Sequence, residues 1–195
     1  MSEKYRFDTM SLHSGHVPDK ETGSRAVPIY QTTSYVFKDT DEAAALYNME
    51  VGGHLYTRIS NPTIATLEQR LASLDGGVSC IACSSGMAAM HLVVSAICSS
   101  GDHIVASNKM YGANINLLQH TMTRFGIKTD FVNPNDLEEI EKSIKPNTKL
   151  VFGEVIGNPG LDVMNVPEVA KICKKKNVPL AIDATFNTPY LMKPI

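Results

Sequence analysis

From Ser60 onward the apolar positions fall into alternating blocks, some with helical spacing and some as short unbroken runs. In "SNPTIATLEQRLASLDGG", Asn61 can cap a helix, and Pro62 suits its first position. Ile64, Leu67, Leu71 and Leu74 then make one apolar stripe, and Gly76–Gly77 stop it. "VSCIAC" reads as a buried strand and "GMAAMHLVVSAIC" as a helix. "DHIVAS" is a strand, and "NINLLQHTMTRF" is a helix ending at Gly126. "KTDFVN", "KLVFGEVI" and "VPLAIDAT" are further strands, separated by the helices "DLEEIEKSI" and "VPEVAKICKKKN". Strands alternating with helices at this spacing predict an α/β fold of βαβ units, a mostly parallel sheet with helices on both faces.

Residues 1–60 lack such a pattern. They are rich in Gly, Ser, Thr, Tyr and His, and predict an extended arm with one short helix around "DTDEAAALYNM". A stretch this long with so little periodicity has no core of its own and is expected to lie against the main domain or another subunit. The expected organisation is therefore an arm over 1–60 and an α/β domain over 61–195.

Composition narrows the function classes. The chain has 195 residues, 43% of them hydrophobic and 19% charged, with a net charge of −2. That balance offers no basic footprint for nucleic acid or an anionic membrane surface. No run reaches the roughly 20 apolar residues that span a bilayer, and the polar start "MSEKYRFDTMSLHSG" has no signal-peptide core. "CIAC" has C-x-x-C spacing, but no second Cys or His pair stands at finger spacing, so Cys80, Cys83, Cys98 and Cys173 read as buried reduced thiols. A cytoplasmic protein without a metal site is expected.

Ligands of parallel sheets bind outside the carboxyl ends of the strands, so the residues just after each strand are the candidates. "CSSGMAAMH" joins the first expected strand to a helix N-terminus. Free backbone N–H groups and the helix dipole there favour an anion, although an ordinary small-residue turn fits too. Neither G-x-G-x-x-G nor a Walker motif is present. Tyr111 begins the next helix and suits packing, cover for a planar ligand, or acid–base work. Glu154 is a carboxylate inside an apolar strand and needs partners. Asn158 precedes Pro159, which also fits an Asx turn. Asp183 ends the last strand, where an ionised carboxylate wants a cation or several N–H donors. It fits less well as a cap, because the "FNTPY" after it looks extended. In the arm, Tyr56 and Arg58 could hold a phosphate, or Arg58 could be a plain surface charge.

Taken in order, "YTRISNPT", "SSGMAA", "YGANINLL", "GEVIGNP" and "IDATFNTPYL" resemble the markers of the Cys/Met-metabolism family of pyridoxal 5′-phosphate (PLP) enzymes of fold type I. That family includes O-acetylhomoserine sulfhydrylase, methionine γ-lyase, and cystathionine γ-synthase and lyase. The resemblance covers nearly the whole chain, and "VPIYQTTSYVF" in the arm is similar to the family's N-terminal segment. It implies that Gly86 and Met87 hold the cofactor phosphate through their N–H groups, with Ser85 nearby. Tyr56 and Arg58 would reach the phosphate of a neighbouring subunit in a homo-oligomer, a dimer of dimers in the family. Tyr111 would stack on the pyridine ring, Asp183 would pair with the pyridine nitrogen, and Thr185 would lie beside the ring. Asn158 would approach the 3′-oxygen, with Glu154 a buried carboxylate behind it.

"IGNPGLDVMNVPEVAKICKKKNVPLAIDATFNTPYL" is most similar to the sulfhydrylases. The resemblance thus implies methionine biosynthesis by γ-replacement, with acetate lost from O-acetylhomoserine and sulfide added to give homocysteine. A γ-lyase or cystathionine γ-synthase would use the same site. Methionine γ-lyases usually carry Cys two residues after the stacking tyrosine, where this chain has Ala113, and Ala184 stands where the family usually has Asn. The family's Schiff-base lysine falls beyond Ile195. Lys109, Lys128, Lys149 and Lys193 match no lysine motif, so these 195 residues alone are expected to be inactive.

Overall fold

The computed structural model describes residues 5–195. The chain divides into two units, one running up to Ala82 together with Ile195, the other from Cys83 to Pro194.

Among the described residues the N-terminal unit holds three helices, α1 (Phe7–His13), α2 (Thr40–Tyr47) and α3 (Pro62–Asp75). Two of them, α1 and α2, lie in the expected arm, where the sequence pattern shows only α2. Capping decides the start of α3. The Asn61 side chain accepts from the Thr63 N–H at 2.9 Å while its amide donates to the Tyr30 carbonyl at 2.9 Å. One residue thus both opens the helix and ties the arm to it, which an Asn can do because it carries donor and acceptor together. Gly76 closes α3 in the left-handed region at φ 82°. Of the expected stripe, Leu74 is buried, whereas Ile64 and Leu67 are exposed. α1 packs on α3 through Met10, and the chain then turns at Gly15 with φ 74°. A Cβ on Gly15 would sit 2.7 Å from the Thr66 carbonyl oxygen and 2.8 Å from the Gln69 Cβ, so only glycine fits this close approach.

"VSCIAC" does not form the expected buried strand. Residues 78–83 make no ladder with any strand among the described residues, and Val78 and Ile81 are fully and largely exposed. Apolar character alone cannot make a strand, since a strand's backbone donors and acceptors need a partner edge. The same exposure corrects the reading of the cysteines. Cys98 and Cys173 are buried, with burial pushing each thiol up to about 11, but Cys80 is half-buried and Cys83 exposed; none of the four forms a disulfide.

In the C-terminal unit, β1 (His103–Ser107), β2 (Lys128–Val132), β3 (Thr148–Glu154) and β4 (Leu180–Asp183) form one parallel sheet in the order β2-β1-β3-β4. Alternate residues point to opposite faces, and both faces are covered. On one face, Ile104, Ala106, Leu150 and Phe152 pack against Met90 and Val94 of α4 (Gly86–Ile97) and against Leu117, Leu118 and Met122. On the other, Val105 and Val151 meet Ile140 of α6 (Leu137–Ser143) and Val169 and Cys173 of α7 (Val166–Lys176). Between β1 and β2 the helical segment starts as α5 (Gly112–Asn116), passes through a π turn at Leu117–Thr121, tightens to 3₁₀ at Met122–Phe125 and stops at Gly126. The "FNTPY" stretch is not extended; it contains the single turn α8 (Thr188–Leu191).

The amino end of the sheet is closed by a polar cluster. Buried His103 bonds Thr148 Oγ1 through Nδ1 at 2.8 Å, and its Nε2 lies 3.3 Å from Asp130, which pairs with Lys145 at 2.5 Å. Burial, reinforced by the Lys145 charge, holds the His103 pKa below its ordinary value despite Asp130.

Candidate functional site

The carboxyl ends of β3 and β4, the turn after β1 and the N-terminus of α4 converge on one cavity of about 360 Å³ within the C-terminal unit. It opens at the place where the strand order diverges from β1, the usual ligand position in a sheet of this kind. Eight residues singled out from the sequence line it: Ser85, Gly86, Met87, Tyr111, Glu154, Asn158, Asp183 and Thr185.

One wall suits an anion. Ser85 caps α4 by accepting from the Ala88 N–H at 3.1 Å, and the first intrahelical bond runs from Ala89 to the Ser85 carbonyl. The N–H groups of Gly86 and Met87 precede that bond and have no helical acceptor. A Cβ at Gly86 would meet nothing within 4 Å, so the approach to those donors is open. The helix dipole adds to them.

Two carboxylates also line the cavity, brought side by side by the register that pairs Glu154 with Asp183. Their surroundings differ. Glu154 is buried, and its oxygens accept from the Tyr111 N–H at 2.7 Å, the Asn114 amide at 3.2 Å and the Asn158 N–H at 3.2 Å. Burial raises its pKa, those three donors oppose the rise, and the charge of Asp183 adds to it. Asp183 is half-buried, and one oxygen accepts from the Thr185 N–H at 2.9 Å and hydroxyl at 2.5 Å. Its other oxygen has no hydrogen bond among the described residues. Glu154 is therefore committed to holding three backbone and side-chain donors in place, and Asp183 is the carboxylate available to a cation. It caps no helix.

Tyr111, half exposed, carries its ring at the cavity with its N–H fixed by Glu154. Asn114, Ile156 and Phe186 also line the cavity and were not among the candidates. Asn114 left a legible signal: it lies three residues after Tyr111 in a helix, hence on the same side, as a polar residue in an apolar surround. Ile156, part-buried against the core, and exposed Phe186 left none, because apolar residues in either setting are common. Tyr56 and Arg58 belong to the N-terminal unit. The Arg58 guanidinium stacks 5.2 Å from the Tyr56 ring centroid, and both line a separate cavity with Tyr35 and Tyr47. They are not among the residues lining the β3–β4 cavity.

An anion cradle, an available carboxylate and an aromatic ring lining one cavity fit a flat, phosphorylated, cationic heteroaromatic group. Comparison with known proteins gives the same chemistry. Over all 195 residues the chain is 45% identical to the O-acetyl-L-homoserine sulfhydrylase of Leptospira meyeri, covering 44% of that protein. It is 36% identical over 195 residues to the L-methionine gamma-lyase of Treponema denticola, covering 48% of it. Among solved structures, a Campylobacter jejuni protein assigned as an O-acetylhomoserine (thiol)-lyase, carrying N′-pyridoxyl-lysine-5′-monophosphate, superposes with a TM-score of 0.94 at 39% identity. That match covers 97% of this chain and 47% of the other. The chain thus spans about half the length of the curated relatives it matches. The family model for Cys/Met metabolism PLP-dependent enzymes matches residues 8–195, and the chain belongs to that family.

Proposed function

We propose that the full-length protein is a PLP-dependent transferase of methionine biosynthesis that makes homocysteine from O-acetylhomoserine and sulfide by γ-replacement. The observation that carries this reading is the division of labour in the cavity: a free helix N-terminus for a phosphate and a carboxylate, Asp183, left over for a cation. Similarity to sulfhydrylases, at 45% and 41% identity over the whole chain, supports the choice of reaction.

PLP, when bound, supplies an electron sink for charge developing on the substrate's carbon atoms. The residues of this chain position and tune it. Gly86 and Met87 would hold the phosphate by N–H donation, with Ser85 beside them. Asp183 would keep the pyridine nitrogen protonated, and its own orientation is fixed by Thr185. Tyr111 would cover the ring face and present its hydroxyl for proton transfer. Glu154 would keep Tyr111, Asn114 and Asn158 at their stations without touching the substrate. Assembly as a homotetramer, in which the arm of one subunit brings Tyr56 and Arg58 to a phosphate held by another, is part of the same proposal, as is residence in the cytoplasm.

The second reading is a γ-lyase, favoured by the 36% identity to a methionine gamma-lyase. Ala113, where those lyases usually have Cys, favours the sulfhydrylase. Incubation of the full-length enzyme with O-acetylhomoserine and sulfide should yield homocysteine. Methanethiol and 2-oxobutyrate from methionine, with no homocysteine in the first reaction, would overturn the proposal in favour of the lyase.

A further inference from the structure

The N-terminal unit carries a second cavity, of about 480 Å³, whose chemistry the reaction does not use. Two arginines, Arg25 and Arg70, and two histidines, His13 and His16, line it, together with apolar side chains such as Leu12 and Val27. No carboxylate is among the described lining residues. None of the four basic residues makes an ion pair among the described residues. Of the acidic groups close in sequence, Asp19 is turned to Thr22, accepting from its N–H at 2.8 Å and its hydroxyl at 2.7 Å, and Glu68 accepts from the Ala82 N–H at 2.8 Å.

The four side chains are not equivalent. Arg70 is anchored: its Nε donates to the Ser14 carbonyl at 2.9 Å, which holds the guanidinium plane in place, and its terminal nitrogens have no acceptor among the described residues. His16 Nε2 is buried without a hydrogen-bond partner among the described residues. A buried ring nitrogen of this kind is costly to leave unpaired, and two guanidinium groups line the same cavity as it does. Gly15, obligatory where the chain crosses α3, sets His16 and the anchoring carbonyl of Ser14 at the rim.

We propose that this cavity is a binding site for a small molecule carrying a doubly charged tetrahedral oxyanion, phosphate or sulfate, with a short apolar body. Arg70 and Arg25 grip the oxyanion as paired forks, since guanidinium donors match two oxygens at once. His16 donates to a third oxygen, and Leu12 and Val27 receive the apolar part. The volume falls in the range of small-molecule sites, larger than a bare ion requires. The site lies within the N-terminal unit, and none of its lining residues lines the cavity at β3 and β4.

The test uses the full-length enzyme saturated with PLP, so that the phosphate donors of Gly86 and Met87 are engaged. Equilibrium dialysis with labelled inorganic phosphate, in buffer free of other oxyanions, should show one further site per chain. Sulfate and propyl phosphate should compete for it and acetate should not. Propyl phosphate should bind more tightly than phosphate; equal binding would overturn the apolar part of the proposal. Arg25→Gln, at an exposed position, and Arg70→Gln should each weaken binding about tenfold or more, the loss of one charge-assisted fork. Arg70→Lys should restore only part, because Lys lacks the fork. If Arg70→Gln perturbs folding by circular dichroism, Arg25→Gln alone decides. Phosphate that binds Arg25→Gln as well as wild type, or no site beyond PLP, would overturn the proposal without touching the assignment of the reaction.

Discussion

Removing the Glu154 carboxylate tests whether this residue organises the cavity. In Glu154→Ala three donors lose their acceptor: the Tyr111 N–H, the Asn114 amide and the Asn158 N–H. Each buried donor left unsatisfied costs about 1–3 kcal/mol. Asn114 is the most enclosed, at 3% exposure, and pays in full, whereas Tyr111 and Asn158 border an open cavity that water can enter. Against this stands a gain. The raised pKa of Glu154 shows that the folded protein already strains to keep this charge buried beside Asp183. Together these terms leave a net destabilisation of about 2–4 kcal/mol.

Glu154→Gln separates the two effects. Its amide oxygen can still accept from Tyr111 and Asn114, but its NH₂ now faces the Asn158 N–H, while the repulsion from Asp183 is gone. The expected cost is about 1 kcal/mol or less. The assay is urea unfolding of the full-length apoprotein, followed by far-UV circular dichroism, alongside the dissociation constant for PLP. Alanine should lower the midpoint clearly and weaken PLP, with glutamine close to wild type. A Glu154→Ala protein as stable as wild type, or a Glu154→Gln protein as damaged as the alanine variant, would refute the reasoning. The two variants also differ in pH response. An acid whose folded pKa is raised costs stability while ionised, so wild type should gain on Glu154→Gln as pH falls through the folded pKa of Glu154, which burial holds above its ordinary value.

Asp183→Asn should leave the helix N-terminus able to hold the phosphate yet lower turnover of the full-length enzyme by about 10²-fold or more, measured as kcat with PLP saturating. His103 has its folded pKa held below the ordinary 6.5, so the unfolded chain takes up the proton first. Stability should be full above pH 6.5 and fall as pH drops below it, and His103→Gln should flatten that part of the profile in urea titrations at stepped pH. Gly15→Ala forces a Cβ against Thr66 and Gln69 in a left-handed backbone, and should lower stability by at least about 2 kcal/mol in thermal or urea unfolding. Asn61→Ala removes both the cap of α3 and its tie to Tyr30, for a cost of about 1–2 kcal/mol in the same measurement.

Much of the fold was legible along the chain because its signals are local. The strands β1 to β4 are short apolar runs bounded by turns, and α3, α4, α6 and α7 carry their own caps, Asn61, Ser85, Asp136 and Asn165, as side-chain acceptors three or fewer residues from their donors. Alternation of strand and helix then dictates a parallel sheet, and a parallel sheet dictates that ligands meet the strands' carboxyl ends. That chain of inference leads to Ser85, Gly86, Tyr111, Glu154, Asn158 and Asp183, and the resemblance to the Cys/Met-metabolism family adds Met87 and Thr185.

Other features depend on partners far away in sequence. Residues 78–83 have the composition of a strand and yet pair with none among the described residues, because a ladder is a property of two edges and not of one segment. Cys80 and Cys83 follow that segment into partial or full exposure. "FNTPY" turns into α8 through contacts that composition does not announce: the Asn187 amide donates to the carbonyls of Thr188 and Met192. Most of all, the different duties of Glu154 and Asp183 were invisible in sequence, where both are carboxylates ending an apolar strand. Only the register that sets them side by side, and the folding of Tyr111, Asn114 and Asn158 onto one of them, leaves the other free for a cation. Local residue order determined which groups reach the site, and the long-range packing of β1, β3 and β4 decided what each of them is free to bind.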